Sequence, residues 1–495
     1  MKIIFSALIL AIFIGSCSTF KAVPTPPAEF RGVWIATVAN IDWPKNGSDN
    51  LEKKKKDYLA LLDYYQAHNF NAVIVQLRTA GDALYPTKLA PWSTYLTGQQ
   101  GASLKETVDI VPFLIKEAHT RGMEFHAWLN PYRATMTLDT LQLSTTHDFY
   151  QHKDWMIPYG TKYYYDPGNP EVQAHLAEIM QEVVQKYNID ALHFDDYFYP
   201  YTIKDQIFAD STSYANYNPK KLPLEDWRRS NVDSLIKNVY TTIKNTKPWV
   251  QFGISPFGVW KNDTTDPKGS ATKAGQTTYH DLYANPLLWM EKGWIDYLVP
   301  QIYWSMDFAP ASHKILADWW STNAFDSRIY IGNGPYKIKN NADIAWENPL
   351  ELPTQLNYVR SANNISGNVF FSAKSLLAHE EVAKTIHRKL YKHKAYTPSH
   401  SPLYDAPLPQ NITVTQLEKK DKNYIFNIKS EQKQRSVLIY KKEPTEPKGL
   451  LGKRYLSKDD ILRLPIKLTK NRKKLVLVFE SKYGQHSLPI AIKLN

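Results

Sequence analysis

The fold of this chain is decided in Ile189-Asp190-Ala191-Leu192-His193-Phe194-Asp195-Asp196-Tyr197-Phe198-Tyr199-Pro200. A short apolar run bounded by turn signals marks a buried strand, and this one ends in two adjacent carboxylates followed by aromatics. Asp is a poor strand former, so a pair of them at a strand's C-terminal end points to chemistry or ion binding rather than packing. In a parallel barrel that end opens onto the face that carries active sites. Successive side chains alternate, so His193 and Asp195 share one face while Phe194 takes the other. With Phe194 turned toward outer helices, Asp195 points into the barrel mouth. Asp196 begins the loop, where it could cap a turn or bind a hydroxyl, and Asp195 is preferred as the reacting carboxylate.

Outward from this stretch, β-branched or aromatic runs alternate with helical patterns from residue 29 to about 395. The other runs are Arg31–Val38, Ala72–Leu77, Glu124–Trp128, Gln251–Ser255, Tyr297–Gln301, Arg328–Gly332 and Val369–Ser372. Helix-like segments include Glu52–His68, Val108–Arg121, Pro170–Lys186, Asp226–Lys244, His313–Ser321 and about Leu376–Leu390. Pro170 suits a first helical turn, and Val172, Leu176, Ile179, Val183 and Val184 fall on one apolar face behind it. Eight such strand–helix units predict a (β/α)8 TIM barrel. The extra length follows strands two to five, as in Arg78–Thr107 and Asn130–Asn169, and predicts enlarged loops walling a cleft over the C-terminal face. That favours an extended, polymeric substrate.

Beyond residue 395 the texture changes. Residues 396–409 are a Pro-rich linker, and 410–495 carry period-two runs at Asn411–Leu417, Asn423–Ser430, Arg435–Lys441, Lys474–Glu480 and Leu488–Leu494. Their size and strand count predict a small all-β sandwich, fibronectin type III-like. The net charge of +12 belongs to this module: from Asp405 on there are 20 Lys and Arg against 9 Asp and Glu, while the rest of the chain holds 40 against 39. Anionic envelope polymers or lipid headgroups fit that surface, as does a merely solvated one; nucleic acid does not fit an exported protein.

At the other end, Lys2, the apolar stretch Ile3–Ile14 and the small residues after it read as an export signal over residues 1–17. Ile14-Gly15-Ser16-Cys17 resembles a lipobox, in which Cys17, the single cysteine of the 495 residues, becomes the lipidated first residue. A lone cysteine leaves no disulfides, so stability rests on a large core. Residues 18–28, with three prolines, read as a tether. The expected location is the bacterial cell envelope, lipid-anchored, with the outer membrane's periplasmic side favoured.

Cleavage of a glycosidic bond ordinarily needs two carboxyls, one charged and one protonated. A second carboxyl for Asp195 is sought at another strand end. Strand six offers Pro300-Gln301-Ile302-Tyr303-Trp304-Ser305-Met306-Asp307, where Asp307 beside aromatics could hold the raised pKa of an acid, or simply make an exposed turn. Asp166, in Tyr165-Asp166-Pro167-Gly168-Asn169-Pro170, reads as the start of a turn into a helix, with a substrate-side role as its alternative. Polar strand ends suited to hydroxyls include Arg78, Asn130-Pro131-Tyr132-Arg133, Gln301, Tyr303 and Asn333. Arg78 and Arg133 could fork onto a substrate carboxylate or onto a neighbouring Asp. Trp34, Trp128, Trp260 and Trp304 are sugar platforms or core. No His-Glu-x-x-His, Cys/His cluster, Walker loop or dinucleotide fingerprint occurs, so no metal or cofactor is expected; a cation held by His193, Asp195 and Asp196 is the weaker alternative.

Five ordered motifs resemble the family-10-like glycosyl hydrolases: Glu29–Val38, Ala127-Trp128-Leu129-Asn130-Pro131-Tyr132-Arg133, Asp166–Pro170, His193–Pro200 and Pro300–Trp304. The resemblance spans about residues 29–390. It implies an exported or lipid-anchored barrel glycosidase acting on an envelope polysaccharide, foremost peptidoglycan glycan strands stripped of stem peptides. From the strand-end reading, Asp195 is the expected nucleophile or base, Asp307 the expected acid and Asp196 a further catalytic candidate. Trp34, Arg78, Trp128, Asn130, Tyr132, Arg133, Asp166, His193, Tyr197, Trp260, Gln301, Tyr303, Trp304 and Asn333 are the substrate-side ones. A non-catalytic glycan-binding lipoprotein and a metal-dependent hydrolase are the rival readings. Asp190–Asp195 also resembles the chitinase strand signature, but Tyr197 stands where chitinases carry the catalytic Glu.

Overall fold

A computed structural model of the protein describes residues 22–24, 26–104, 108–399, 407–444, 446–469 and 472–494. The export signal, Cys17 and part of the Pro-rich linker lie outside the described residues. Among those described, eight parallel strands close a barrel: β1 (Phe30–Ile35), β2 (Ala72–Arg78) and β3 (Glu124–Leu129) come first. A hairpin of β4 (Met156–Tyr159) and β5 (Lys162–Tyr165) sits in the third loop, and β6 (Ala191–Phe194), β7 (Gln251–Ile254), β8 (Tyr297–Leu298), β9 (Arg328–Asn333) and β10 (Ile365–Phe370) complete the ring. The strands run in order around the ring and β10 pairs with β1, so every barrel edge is closed.

Strand alternation sorts the core into two shells. Phe30, Trp34, Ile74, Trp128, Tyr297 and Val369 fill the barrel lumen, while Val33, Val73, Val75, Leu192 and Phe194 face the helices outside. The outer layer is built from amphipathic helices such as Leu51–Ala67 and Pro170–Lys186. Asn50 caps the first by accepting from Lys53 N (2.8 Å), and Asn169 caps the second by accepting from Glu171 N (2.9 Å).

Two barrel strands differ from their sequence patterns. β10 begins four residues before the expected run, because its first half contains Gly367, held at φ +152° against Phe30 of β1, where a Cβ would lie 2.1 Å from the Phe30 carbonyl oxygen. β8 is only two residues long, since Pro300 removes a ladder donor. Gln301 still bridges Phe257 and Gly332 above it, which extends the rim of the barrel.

The C-terminal module is all-β. Its strands β11 (Thr413–Lys420), β12 (Asn423–Lys429) and β15 (Ile461–Pro465) form one sheet. The other holds β13 (Ser436–Tyr440), β14 (Leu450–Tyr455), β16 (Lys474–Glu480) and β17 (Ile490–Lys493). Phe426, Ile428 and Leu462 from the first sheet pack against Val437, Leu477 and Phe479 from the second, giving a sandwich. β14 and β15 escape the period-two pattern because cations interrupt their apolar runs; Lys453 of β14 is nonetheless buried, paired with Glu480 Oε2 (2.6 Å). The module sits under the N-terminal end of the barrel. Arg435 pairs with the buried Asp190, and Tyr455 stacks on His119 with ring centroids 3.8 Å apart. Part of the module's basicity therefore neutralises acids at the barrel floor instead of facing solvent.

Candidate active site

A cavity of about 300 Å³ opens at the C-terminal strand ends, and Asp195 and Asp196 lie in its wall with nine aromatic side chains. A larger space, about 970 Å³, lies between the helix Val111–Thr120 and the C-terminal module. It contains none of the strand-end carboxylates, and the smaller cavity, which holds Asp195 and Asp196, is the candidate site.

Pleating positions the pair as β6 predicts. Phe194 packs edge-on against Phe252 in the outer shell, and His193 turns into the lumen. There the His193 ring meets Trp34 Nε1 (3.3 Å), Tyr297 OH (3.0 Å) and Ser255 Oγ (3.0 Å). Burial holds this imidazole well below its usual pKa, so it is neutral and orients Trp34 in the cavity floor. Asp195 follows at the mouth, half-buried, and Asp196 is buried beside it.

The surroundings drive the two carboxyls apart. Asp195 Oδ1 accepts from Gln301 Nε2 (2.9 Å) and from the Asp196 backbone N–H (2.9 Å). The Gln301 amide also donates to Ser255 O (2.8 Å), which fixes its orientation. Arg133, anchored by Nε to Thr79 O (3.0 Å) and lying 4.2 Å over the Tyr197 ring, adds positive charge near Asp195. Burial raises the Asp195 carboxyl, and these donors and the guanidinium oppose it. Asp196 is pushed much further up, by burial first and then by the charge of Asp195; the Tyr201 hydroxyl, which donates to Asp196 Oδ2, only partly offsets this. Two like groups in one desolvated place resist ionising together, and these surroundings favour the charge on Asp195 and the proton on Asp196. That is the division of labour that hydrolysis of an acetal requires.

Of the residues expected from sequence, Trp34, Trp128, Asp195, Asp196, Tyr197, Gln301, Tyr303 and Trp304 line the cavity. Asn130 stands behind it, accepting from Trp128 Nε1 (2.8 Å) and donating to Thr79 O (3.1 Å). Others are corrected by their packing. Asp307 is exposed on the loop after β8 and does not line the cavity, so the desolvated setting expected for an acid is missing. Arg78 is fully buried, donating to Tyr165 OH (3.2 Å) beneath the hairpin, and is not free to fork onto a substrate. Tyr132 is core. Asp166 accepts from Ser213 Oγ and from Gly168 N (2.8 Å), which makes it the turn into the helix Pro170–Lys186. Trp260 stacks on Trp319, and Asn333 donates to Asn368 Oδ1 (2.9 Å) inside the barrel.

Tyr201, Phe257, Tyr336, Lys337 and Phe371 also line the cavity and were not singled out from sequence. Each lies within seven residues of the C-terminal end of a barrel strand, so the criterion that finds Asp195 reaches them when extended past the first loop residues. Lys337 is the one cationic side chain among the lining residues described. Its ammonium stands 5.9 Å from the Trp304 ring centroid, and burial lowers its pKa while the charge of Asp343 opposes this. Among the described residues no group of three or more His, Cys, Asp or Glu is placed to hold a metal ion.

Residues 29–348 match the glycosyl hydrolase-like 10 family. The chain is 41% identical over 457 residues to glycosyl hydrolase YngK of Bacillus subtilis, covering 90% of this chain and 89% of that protein. It is 35% identical over 400 residues to glycosyl hydrolase DigH of Escherichia coli K12, covering 73% of this chain and 90% of that one. Coverage of 90% exceeds what the barrel can supply, so YngK shares at least part of the C-terminal module. Among solved structures, the glycoside hydrolase domain of PgaB (BpsB) from Bordetella bronchiseptica aligns at a TM-score of 0.49 and 13% identity, over 73% of this chain and 98% of that domain.

Proposed function

As a member of the glycosyl hydrolase-like 10 family, and so a glycoside hydrolase, this protein, we propose, cuts a cell-envelope polysaccharide: peptidoglycan glycan strands that have lost their stem peptides. The observation that carries the reading is the adjacent pair Asp195–Asp196, whose surroundings favour the proton on Asp196 over Asp195, in an aromatic cavity whose single described cationic side chain is Lys337. Trp34, Trp128, Tyr303 and Trp304 offer ring faces on which sugars stack, while Asp196 protonates the leaving oxygen and Asp195 stabilises the positive charge that develops on the sugar. Removal of the stem peptide leaves a free lactyl carboxylate on each muramic acid, and Lys337 is the lining group able to pair with it. The long loops after β2 and β3 suit a chain passing over the mouth.

On this reading residues 1–17 are an export signal and Cys17 the lipid attachment point. Residues 18–28 are then a tether, 29–395 the catalytic barrel, 396–409 a linker and 410–495 the basic module. Among the described residues no helix is long and apolar enough to cross a membrane, and a lipid on Cys17 is the proposed anchor. Incubation of the protein with amidase-treated peptidoglycan is expected to release new reducing ends, and Asp195→Asn is expected to release none. Binding without new ends would refute the proposal.

A further inference from the structure

Asp195 and Asp196 are the only carboxyls among the described residues lining the cavity. They are neighbours at a single strand end, and Asp195 Oδ1 accepts from the Asp196 N–H at 2.9 Å. Carboxyls that flank a glycosidic bond stand about 5–5.5 Å apart when one attacks the sugar, and about 6.5–9.5 Å apart when one activates a water. Both groups rise from one strand end into one wall and approach the sugar from the same side, so they do not flank the bond in either way. The rest of the described wall is aromatic apart from Gln301 and Lys337, and burial raises the pKa of its tyrosines, Tyr197, Tyr201, Tyr303 and Tyr336, which keeps their hydroxyls protonated and weak as nucleophiles for an anomeric carbon. The attacking atom is therefore sought on the substrate, and the sugars of the class proposed above carry one: the carbonyl oxygen of the 2-acetamido group, one five-membered ring closure away from C1.

Resting on that substrate class, we propose that this enzyme hydrolyses by substrate assistance, with Asp195 holding the acetamido N–H and Asp196 protonating the leaving oxygen. In the first half, the acetamido oxygen forms a bond to C1 as the bond from C1 to the leaving oxygen breaks. The departing electron pair takes the proton of Asp196, and Asp195 accepts the acetamido proton as the oxazoline closes. In the second half, water adds to C1 and gives a proton to the Asp196 carboxylate. The bond between C1 and the acetamido oxygen opens, and Asp195 returns the proton to nitrogen. One water is consumed, two sugar ends result, and both carboxyls end as they began. Two displacements at C1 retain its configuration. Gln301 and Arg133, which favour the charged form of Asp195, act as positioning residues.

The test uses denuded glycan strands, the same strands N-deacetylated and re-acylated with trifluoroacetyl groups, and a re-acetylated control. Trifluoroacetylation weakens the internal nucleophile and is expected to lower kcat/KM on the order of a hundredfold or more, with the re-acetylated strands restored. The product anomer, read by NMR at early times, is expected to be the retained one, and Asp196→Asn is expected to lose far less on aryl glycosides with good leaving groups than on glycan, unlike Asp195→Asn. Equal rates on acetylated and trifluoroacetylated strands, inversion at C1, or a sugar ester trapped on Asp195 would each overturn the proposal while leaving the substrate reading intact. If no strand is cut, the substrate reading fails, and binding of N-acetylglucosamine thiazoline, an oxazoline mimic, followed by tryptophan fluorescence, decides the inference: saturable binding weakened by Asp195→Asn supports it, and its absence overturns it.

Discussion

Replacing Asp195 with Asn separates its chemical from its structural role. The amide keeps the acceptor that Gln301 Nε2 and the Asp196 N–H use, both at 2.9 Å, so the rim geometry survives. What disappears is the negative charge proposed to stabilise the sugar and to favour the proton on Asp196. Loss of a positioned proton acceptor and of electrostatic stabilisation together lowers turnover by about 10³–10⁴-fold, or about 4–5 kcal/mol of barrier. Stability moves the other way. Burial holds the folded-state pKa of Asp195 above its ordinary value of 3.8, so the native state binds this proton more tightly than the unfolded chain does. That contribution is fully present below pH 3.8 and is lost as pH rises through the folded value, leaving the ionised wild type destabilised at pH 7. Asp195→Asn is therefore expected to melt at or above the wild-type temperature at pH 7, with the advantage vanishing below about pH 4. Reducing-end assays and scanning calorimetry from pH 3.5 to 8 check both halves. An active variant, or one less stable than wild type at pH 7, would show that the carboxylate is a structural anchor and not a reacting group.

Four further outcomes are expected. Tyr201→Phe removes the hydroxyl that favours ionised Asp196, so the alkaline limb of the kcat/KM profile moves to higher pH; a limb that stays or falls would separate Asp196 from the acid role. Lys337→Gln lowers kcat/KM on strands with free lactyl carboxylates by about ten- to a hundredfold, the worth of a charge-assisted hydrogen bond, and an equal loss on carboxyl-amidated strands would contradict the pairing. Asp307→Asn stays within about twofold of wild type in turnover, the scale of a neutral surface substitution, and a large loss would return it to the site. Arg435→Met removes the guanidinium paired with the buried Asp190 at the barrel floor and costs about 3–5 kcal/mol, offset in part by His119 Nε2 (2.8 Å) and Phe125 N (2.5 Å), measured as a lower urea midpoint.

The barrel was legible in the chain because each strand–helix unit announces itself locally, by a short β-branched run, a capped amphipathic segment and a turn. Asp195 was legible for the same reason: two acids at the end of an apolar run violate strand propensity, and pleating alone assigns their faces. Irregular backbone was not legible, as at β10, where Gly367 serves contact with Phe30 of a strand more than 300 residues away. Nor was the acid partner. Asp307 and Asp196 look alike as letters beside aromatics, and only packing makes one exposed and the other buried against a like charge. Lys337 and Tyr201 reach the cavity through loops whose course depends on other strands. Local spacing thus determined the architecture and one proposed reacting group, because these follow from neighbours a few residues apart. Desolvation and through-space charge, which favour the proton on Asp196 and act on the cation at Lys337, depend on elements brought together from across the chain, and the tertiary structure alone decided them.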